Sequence, residues 1–269
     1  MAISALQSAA TGLKALSTQI DVIANNLANV NTSGFRRSRA NFEDLMYQEL
    51  ANPGTRNSDD SIRPSGVFVG LGVRVSNTQL MFDQGSLDST GRELDVAIDG
   101  QGFFQVKIPP TVGTETAYTR AGNFSLTPDG ELVIGNAEGF RLQPPITIPK
   151  DAIAVDIGTD GRVFATVPSS VNPELVGQIQ LARFTNPGGL RPIGSTLFIE
   201  TEASGQPVVG NPTAEGFGRV LQKFSESSNV DPVRELVELI KSQRAFELNS
   251  QTIQSADEML QVVANLKKF

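Results

Sequence analysis

The sequence predicts an α+β protein: long N- and C-terminal helices forming a coiled-coil-like core, with an antiparallel β domain inserted between them. Three observations predict it. Of 25 Gly and 15 Pro, all but Gly12, Gly34 and Pro232 lie between residues 51 and 218, so the residues that break helices are confined to the middle. Both ends carry apolar residues at seven-residue spacing. The middle carries short apolar runs of period two, divided by Asp-Gly turns.

In the first helix Leu6, Leu13, Ile20 and Leu27 form one row, and Ala9, Leu16, Ile23 and Val30 form a second row three residues on. This is an a/d seam sustained over about four heptads. The helix is expected to stop near Asn31-Thr32-Ser33-Gly34, where glycine takes the left-handed cap conformation. The last helix is expected to start at Asp231-Pro232, with Asp as N-cap and Pro at the first helical position. Leu239, Phe246, Ile253 and Leu260 recur every seven residues. The companion row is Ser242, Asn249, Ala256 and Val263, so this seam is polar in its first half and apolar in its second.

Between the helices, Leu94, Val96 and Ile98 alternate with Asp95 and Ala97, and Phe104, Val106 and Ile108 alternate with Gln105 and Lys107. Val163, Ala165 and Val167 give another such run. Asp99-Gly100, Asp129-Gly130 and Asp160-Gly161 are hairpin signals. Short strands with no helical period between them point to an antiparallel sandwich or an open barrel. Residues 51–66 are polar and rich in breakers, the composition of a linker or long loop. The chain therefore divides into an N-terminal assembly helix (1–40), an extended hairpin or linker region (41–75), an antiparallel β domain (76–215) and a C-terminal assembly helix (216–269).

Composition excludes several kinds of chemistry. The chain contains neither Cys nor His, which removes disulfides, the usual zinc ligands, thiol nucleophiles and the side chain best suited to proton transfer near neutral pH. Its net charge of −7 suits no nucleic acid. No basic segment followed by an apolar block marks a cleavable signal, and no apolar run approaches the ~18 residues that span a bilayer. Gly70-Leu71-Gly72 and Gly100-Gln101-Gly102 are fragments of a dinucleotide fingerprint, but Val75 and Gln105 stand where its third glycine belongs. The Asp59-Asp60 pair reads as a solvated turn rather than a cation site. No cofactor or metal is expected. Scattered carboxylates leave a glycan-cleaving enzyme as the alternative of another class, recognisable by two carboxyls facing each other in a cleft.

The first helix has almost no charge. Only Lys14 and Asp21 are ionised between Met1 and Gly34, and the face opposite the seam holds Ser, Thr, Gln and Asn. A solvated helix carries charges there, whereas such small polar groups tolerate burial when hydrogen-bonded. Burial inside a larger assembly accounts for this better than a helical hairpin within a monomer. The residues expected at that interface are Leu13, Leu16, Ile20, Ile23, Leu27 and Val30 in the first helix and Leu239, Phe246, Ile253, Ala256, Leu260 and Val263 in the last. Asn25 and Asn26 are expected to fix register between subunits, as a buried polar residue does in a coiled coil.

These residues carry a resemblance. Ala24-Asn25-Asn26-Leu27-Ala28-Asn29-Val30-Asn31-Thr32-Ser33-Gly34-Phe35 closely resembles the N-terminal signature of bacterial flagellar rod and hook proteins. Ser242-Gln243-Arg244-Ala245-Phe246-Glu247-Leu248-Asn249, followed by Asp257-Glu258-Met259-Leu260, resembles their C-terminal signature, with Phe246 where Tyr is commoner. Gly100-Gln101-Gly102-Phe103-Phe104 and Arg120-Ala121-Gly122-Asn123-Phe124 are similar to the family's β domain. The resemblance covers essentially the whole chain and is nearest to the distal-rod branch, with hook or proximal rod as the alternative. It implies a structural, non-enzymatic subunit of a straight, hollow helical polymer that transmits motor torque and passes exported subunits. It also implies export through the flagellar type III apparatus without signal cleavage, and a place in the basal body within the cell envelope. The implied partners are further copies of the chain, the other rod proteins and the hook protein, the rod cap, and the peptidoglycan and outer-membrane ring proteins. The stretch from Tyr47 to Gly66 is implied to bridge neighbouring subunits.

Overall fold

The computed structural model describes residues 2–54, 64–109, 115–168 and 172–266. Asp59-Asp60 and most of the polar stretch 51–66 lie outside the described residues. Helix α1 spans Ala2–Ala28 and helix α2 spans Pro232–Leu266. The chain forms two compact units, one of Met1–Leu27, Ser38–Gln79 and Pro232–Phe269, the other of Ala28–Arg37 and Leu80–Asp231.

In the first unit, β1 (Ser38–Asp44) pairs with β4 (Val73–Leu80). Within that ribbon β2 (Tyr47–Ala51) pairs antiparallel with β3 (Val67–Gly70). Polar cross-strand pairs hold the β1–β4 ribbon. Asn41 Nδ2 donates to Asn77 Oδ1 at 2.7 Å, and Glu43 accepts from Ser76 Oγ at 2.6 Å and from Arg74 Nη2 at 2.9 Å. The Ser76 hydroxyl, with the Arg74 guanidinium behind it, holds the Glu43 carboxyl below its ordinary range. Helix α1 lies on the corner before β4. Ser8 Oγ donates to Gly70 O at 3.3 Å, and Val73 N donates to Thr11 Oγ1 at 3.3 Å. Gly72, at φ +111°, has no room for a Cβ, which would run into Thr11 Oγ1.

The expectation of a coiled-coil-like core formed by the two helices, with a β domain inserted in it, is overturned. The helices approach each other where Gly12 faces Asn249, a Cβ on Gly12 falling 3.3 Å from Asn249 Nδ2, and again at Asn26 and Glu235. These contacts are small and polar, and the apolar rows do not interlock. Among the described residues α2 buries only Glu235 and Ser242, while Phe246 and Leu260 stay exposed. Heptad spacing places residues on one face of a helix, but it says nothing about which chain covers that face. The first half of the α2 seam is polar, and it is this half that meets α1. In the same unit, α1 has two ribbons of sheet as its other neighbours.

The second unit is antiparallel throughout. β5 (Leu87–Ser89) pairs with β20 (Phe224–Glu226), and β6 (Val96–Asp99) pairs with β19 (Arg219–Gln222). The main sheet contains β7 (Phe103–Lys107), β8 (Thr116–Thr119), β9 (Phe124–Leu126), β10 (Leu132–Ile134), β11 (Arg141–Gln143), β15 (Leu181–Arg183), β16 (Arg191–Gly194), β17 (Leu197–Ile199) and β18 (Val208–Gly210). Its order runs β16-β17-β8-β7-β11-β10-β9, with β15 joining β7 to β18. A smaller sheet has the order β12-β13-β14, from Ala154–Ile157, Arg162–Thr166 and Glu174–Gln178.

Strand β7 is buried on both sides. Phe104 and Val106 enter a core with Ile98, Phe124, Leu142 and Ile146. Phe103 points the other way, into a second core with Tyr118, Phe184, Leu190 and Phe198, backed by Phe82. The rings meet edge to face, Tyr118 and Phe184 at 4.7 Å and Phe104 and Phe124 at 5.2 Å between centroids. Phenylalanine thus fills both layers of a chain that has no Trp.

Gly130 (φ +84°) turns β9 into β10 and Gly161 (φ +79°) turns β12 into β13, each as a hairpin. Gly100 (φ +110°) also turns, yet β6 and β7 do not pair with each other. β6 takes β19 instead, and Arg219 Nε donates to Asp99 Oδ2 at 2.8 Å, so a distant strand displaces the local partner.

Candidate assembly surface

Helix α2 has two opposite faces, one polar in its first half and the other lined mainly by apolar residues. Successive residues turn by about 100°, so Glu235, Ser242, Asn249, Ile253 and Leu260 share one face. Val233, Val237, Ile240, Leu248, Met259 and Val262 share the other. The first face is the seam expected from the heptads, and in it Leu239, Ile253 and Ala256 are partly buried. The second face is open, with Val233 69% and Met259 67% exposed. An apolar stripe along a helix is stable when protein covers it. The ribbon of β2 and β3 is also open, with Met46, Tyr47, Leu50, Val67 and Phe68 exposed. Patches of this extent mark contact with other molecules.

On α1, Ile23 is buried and Leu13, Leu16, Ile20 and Leu27 are partly buried, as is Val30 beyond the helix. The side chain of Val263 lies outside the described residues. Asn25 is exposed, whereas Asn26 is only 1% exposed and bonds within its own chain. Its Nδ2 donates to Ser38 O at 2.8 Å and to Glu235 Oε2 at 3.2 Å, and its Oδ1 accepts from Ser38 N at 2.9 Å. One amide therefore meets both backbone groups of the first residue of β1, as a neighbouring strand would, and ties α1 to the first turn of α2.

The second unit holds a charged node. Glu226, at the end of β20, is fully buried. Its Oε1 accepts from Arg36 Nη2 at 2.6 Å and from Gly85 N at 3.0 Å, and its Oε2 lies 3.4 Å from Arg120 Nη1. Arg120 Nη2 donates to Gly100 O at 2.7 Å, and its guanidinium stands 5.4 Å over the Phe103 ring. Burial, opposed by Glu226 and reinforced by the Arg36 charge, pushes the Arg120 pKa down to about 10, which leaves it cationic at neutral pH.

No cluster of acidic residues suited to a metal occurs among the described residues. A cleft of 440 Å³ in the second unit is lined by Leu126, Pro128, Pro149 and Ile153, and its charged lining residues are Glu93 and Lys150. One carboxylate beside one ammonium is not the facing carboxyl pair that glycan cleavage needs. Among the described residues no helix is long and apolar enough to cross a membrane.

Comparison with known proteins agrees with this arrangement of ends and middle. Residues 6–36 match the family model described as flagella basal body rod protein. Residues 97–165 match the flagellar hook protein FlgE/F/G D1 domain, and residues 221–266 the flagellar basal body rod FlgEFG protein C-terminal region. The flagellar basal-body rod protein FlgG of Buchnera aphidicola subsp. Baizongia pistaciae is 46% identical over 98% of this chain and 100% of its own length. The chain belongs to the flagellar basal-body rod protein family. FlgG of Caulobacter vibrioides is 45% identical over 98% of the chain and 99% of the relative, and FlgG of Agrobacterium fabrum is 45% identical over the same shares. The chain is accordingly a structural component of the flagellar basal body in the cell envelope, not an enzyme, and it assembles into the rod with other flagellar components.

Two features are not among the sequence-based expectations. The open stripe of α2 is present in the sequence as Val233, Val237, Ile240 and Leu248, at the spacing of one helical face, but the heptad row lies on the opposite side. The node at Glu226 leaves a fainter mark: Arg36-Arg37 ends a stretch of almost no charge, while the matching carboxylate lies 190 residues away.

Proposed function

We propose that this rod protein is a subunit of the distal rod, a straight hollow helical shaft that transmits motor torque to the hook and passes exported subunits. In this reading the open face of α2 is covered in the shaft by helices of neighbouring copies. The β2–β3 ribbon reaches a neighbouring copy. The hook protein, the other rod proteins, the rod cap, the peptidoglycan and outer-membrane ring proteins and the type III export apparatus are the further partners.

The observation that carries the reading is the open stripe of Val233, Val237, Ile240 and Leu248 on α2. Burying one such aliphatic side chain gains about 1.5–3 kcal/mol, and a carboxylate in its place carries a larger penalty. Ile240→Asp is expected to abolish rods in basal bodies examined by electron microscopy, with the denaturation midpoint of the purified chain unchanged. Gln254→Asp, exposed on a flank outside both faces, is the control. Rods at normal yield from Ile240→Asp would overturn the assignment of this face.

A further inference from the structure

Four segments distant in sequence converge on Glu226. The segment after α1 supplies Arg36, and Gly34 N donates to the Glu226 carbonyl at 2.9 Å. The segment before β5 supplies the Gly85 amide, and the turn after β8 supplies Arg120. The fourth is β20, which carries Glu226 itself, a few residues before α2. The next residues on both sides continue the fastening. Ser33 Oγ and Ser225 Oγ lie 3.1 Å apart, and Arg37 N donates to Asn229 Oδ1 at 2.7 Å. Asn229 Nδ2 in turn donates to Met81 O at 2.9 Å and Asp83 O at 3.0 Å, and Met81 N donates to Arg37 O at 2.8 Å.

We propose that Glu226 is a latch that fastens both exits of the chain to the β unit before assembly, so that α1 and α2 each leave from a fixed point. The inference rests on the geometry of the second unit and not on how the rod is packed. Two arginines and one glutamate, all nearly or wholly buried, gain little over an apolar cluster in net stability, because desolvation offsets their attraction. What such a group supplies is position. A slip of one residue in the segment 33–37 removes the Arg36 bond, the Gly34 bond and the Arg37 bond together, whereas an apolar contact would tolerate it. Gly34 fixes the path further. It sits at φ +71°, and a Cβ there would lie 2.5 Å from Ala121 N. The segment can therefore lie against the turn after β8 only as it does, with no side chain between.

The latch makes a specific statement about the free subunit. Order must extend outward from the strands as far as residues 33 and 230, whatever the helices do before assembly. Hydrogen exchange on the full-length monomer decides it. In the unaltered chain the amides of Gly34, Arg37 and Gly85 are expected to exchange as slowly as those of β6 and β7. Glu226→Ala leaves two buried guanidiniums without their carboxylate, and should speed those three amides by at least ~100-fold while β6–β11 change by less than about tenfold. Arg36→Met, which keeps the volume and spares Arg120 and Gly85, should speed only Gly34 and Arg37.

Exchange of residues 33–37 in the unaltered chain as fast as that of α1 overturns the proposal. So does equal acceleration of 33–37 and the β7 amides in either variant. Failure of both variants to fold overturns it too, since the node would then be a requirement of the core rather than a fastening of its exits.

Discussion

Replacing Asn26 with Asp changes one nitrogen to oxygen at a site that is 1% exposed, and the outcome can be worked through from its three hydrogen bonds. The bond from Ser38 N to Oδ1, at 2.9 Å, survives. The donations to Ser38 O at 2.8 Å and Glu235 Oε2 at 3.2 Å are lost, and two carboxylates then face each other at the distance of the second. A buried acceptor left unsatisfied costs about 1–3 kcal/mol. Two like charges at that separation, with an effective dielectric of about 20, add roughly 5 kcal/mol. Together these approach the whole stability of an ordinary domain, about 5–15 kcal/mol, so the new carboxyl is expected to keep its proton instead. Its folded-state pKa is then raised above the unfolded value. The contribution of the contact between the new carboxyl and Glu235 is accordingly present at low pH and lost as pH rises through that raised value. Rods counted in basal bodies from cells grown at pH 7.5 should be few in Asn26→Asp and should recover at about pH 5. Asn26→Leu, which has no proton to gain, should be defective at both. Normal rods from Asn26→Asp at pH 7.5, or a defect that does not respond to pH, would refute the reasoning.

Two further outcomes concern the second unit. Gly34→Ala meets both a left-handed backbone and the Ala121 amide 2.5 Å from its Cβ, and should lower the unfolding free energy by about 3 kcal/mol or more in guanidinium melts. Burial, with the Glu200 carboxylate behind it, pushes the Tyr118 hydroxyl up to about 12, so the folded state holds its proton longer than the unfolded chain and stability falls between pH 10 and 12. Arg120 acts in the opposite sense over that range, its folded pKa being lowered to about 10. Tyr118→Phe, which keeps the ring against Phe184, should therefore remove the alkaline loss, as read from melts at pH 9 and 11.

What is legible in the sequence is local. Asp231-Pro232 does open a helix, at Pro232, because a residue that lacks an amide hydrogen is suited to the first turn. Gly34 does take positive φ, but the helix has already ended at Ala28, because residues 28–37 leave to pack in the β unit, where the Gly34 amide bonds to Glu226. The Asp-Gly turns are recognisable wherever the adjacent strands are each other's best partners. At Asp99-Gly100 they are not, since β19 arrives from 120 residues away with Arg219 to meet Asp99. The heptads of α1 and α2 fail differently. The spacing places residues on one face, and the coiled-coil core inferred from it is wrong because a face does not specify what covers it. Asn26 shows the same limit in reverse: its polarity is plain in the sequence, but its partners, Ser38 and Glu235, have no periodic relation to it.

Strand β7 places Phe103 and Phe104 in opposite cores, which has a mechanical consequence. A sheet padded on one side bends readily toward its bare face, as a single ply does. A sheet bonded to a filled layer on each side behaves as a laminate, in which bending must stretch one layer and compress the other. Interiors packed as densely as crystals resist both. The doubly packed sheet around β7 is then the part of the second unit that yields least under load.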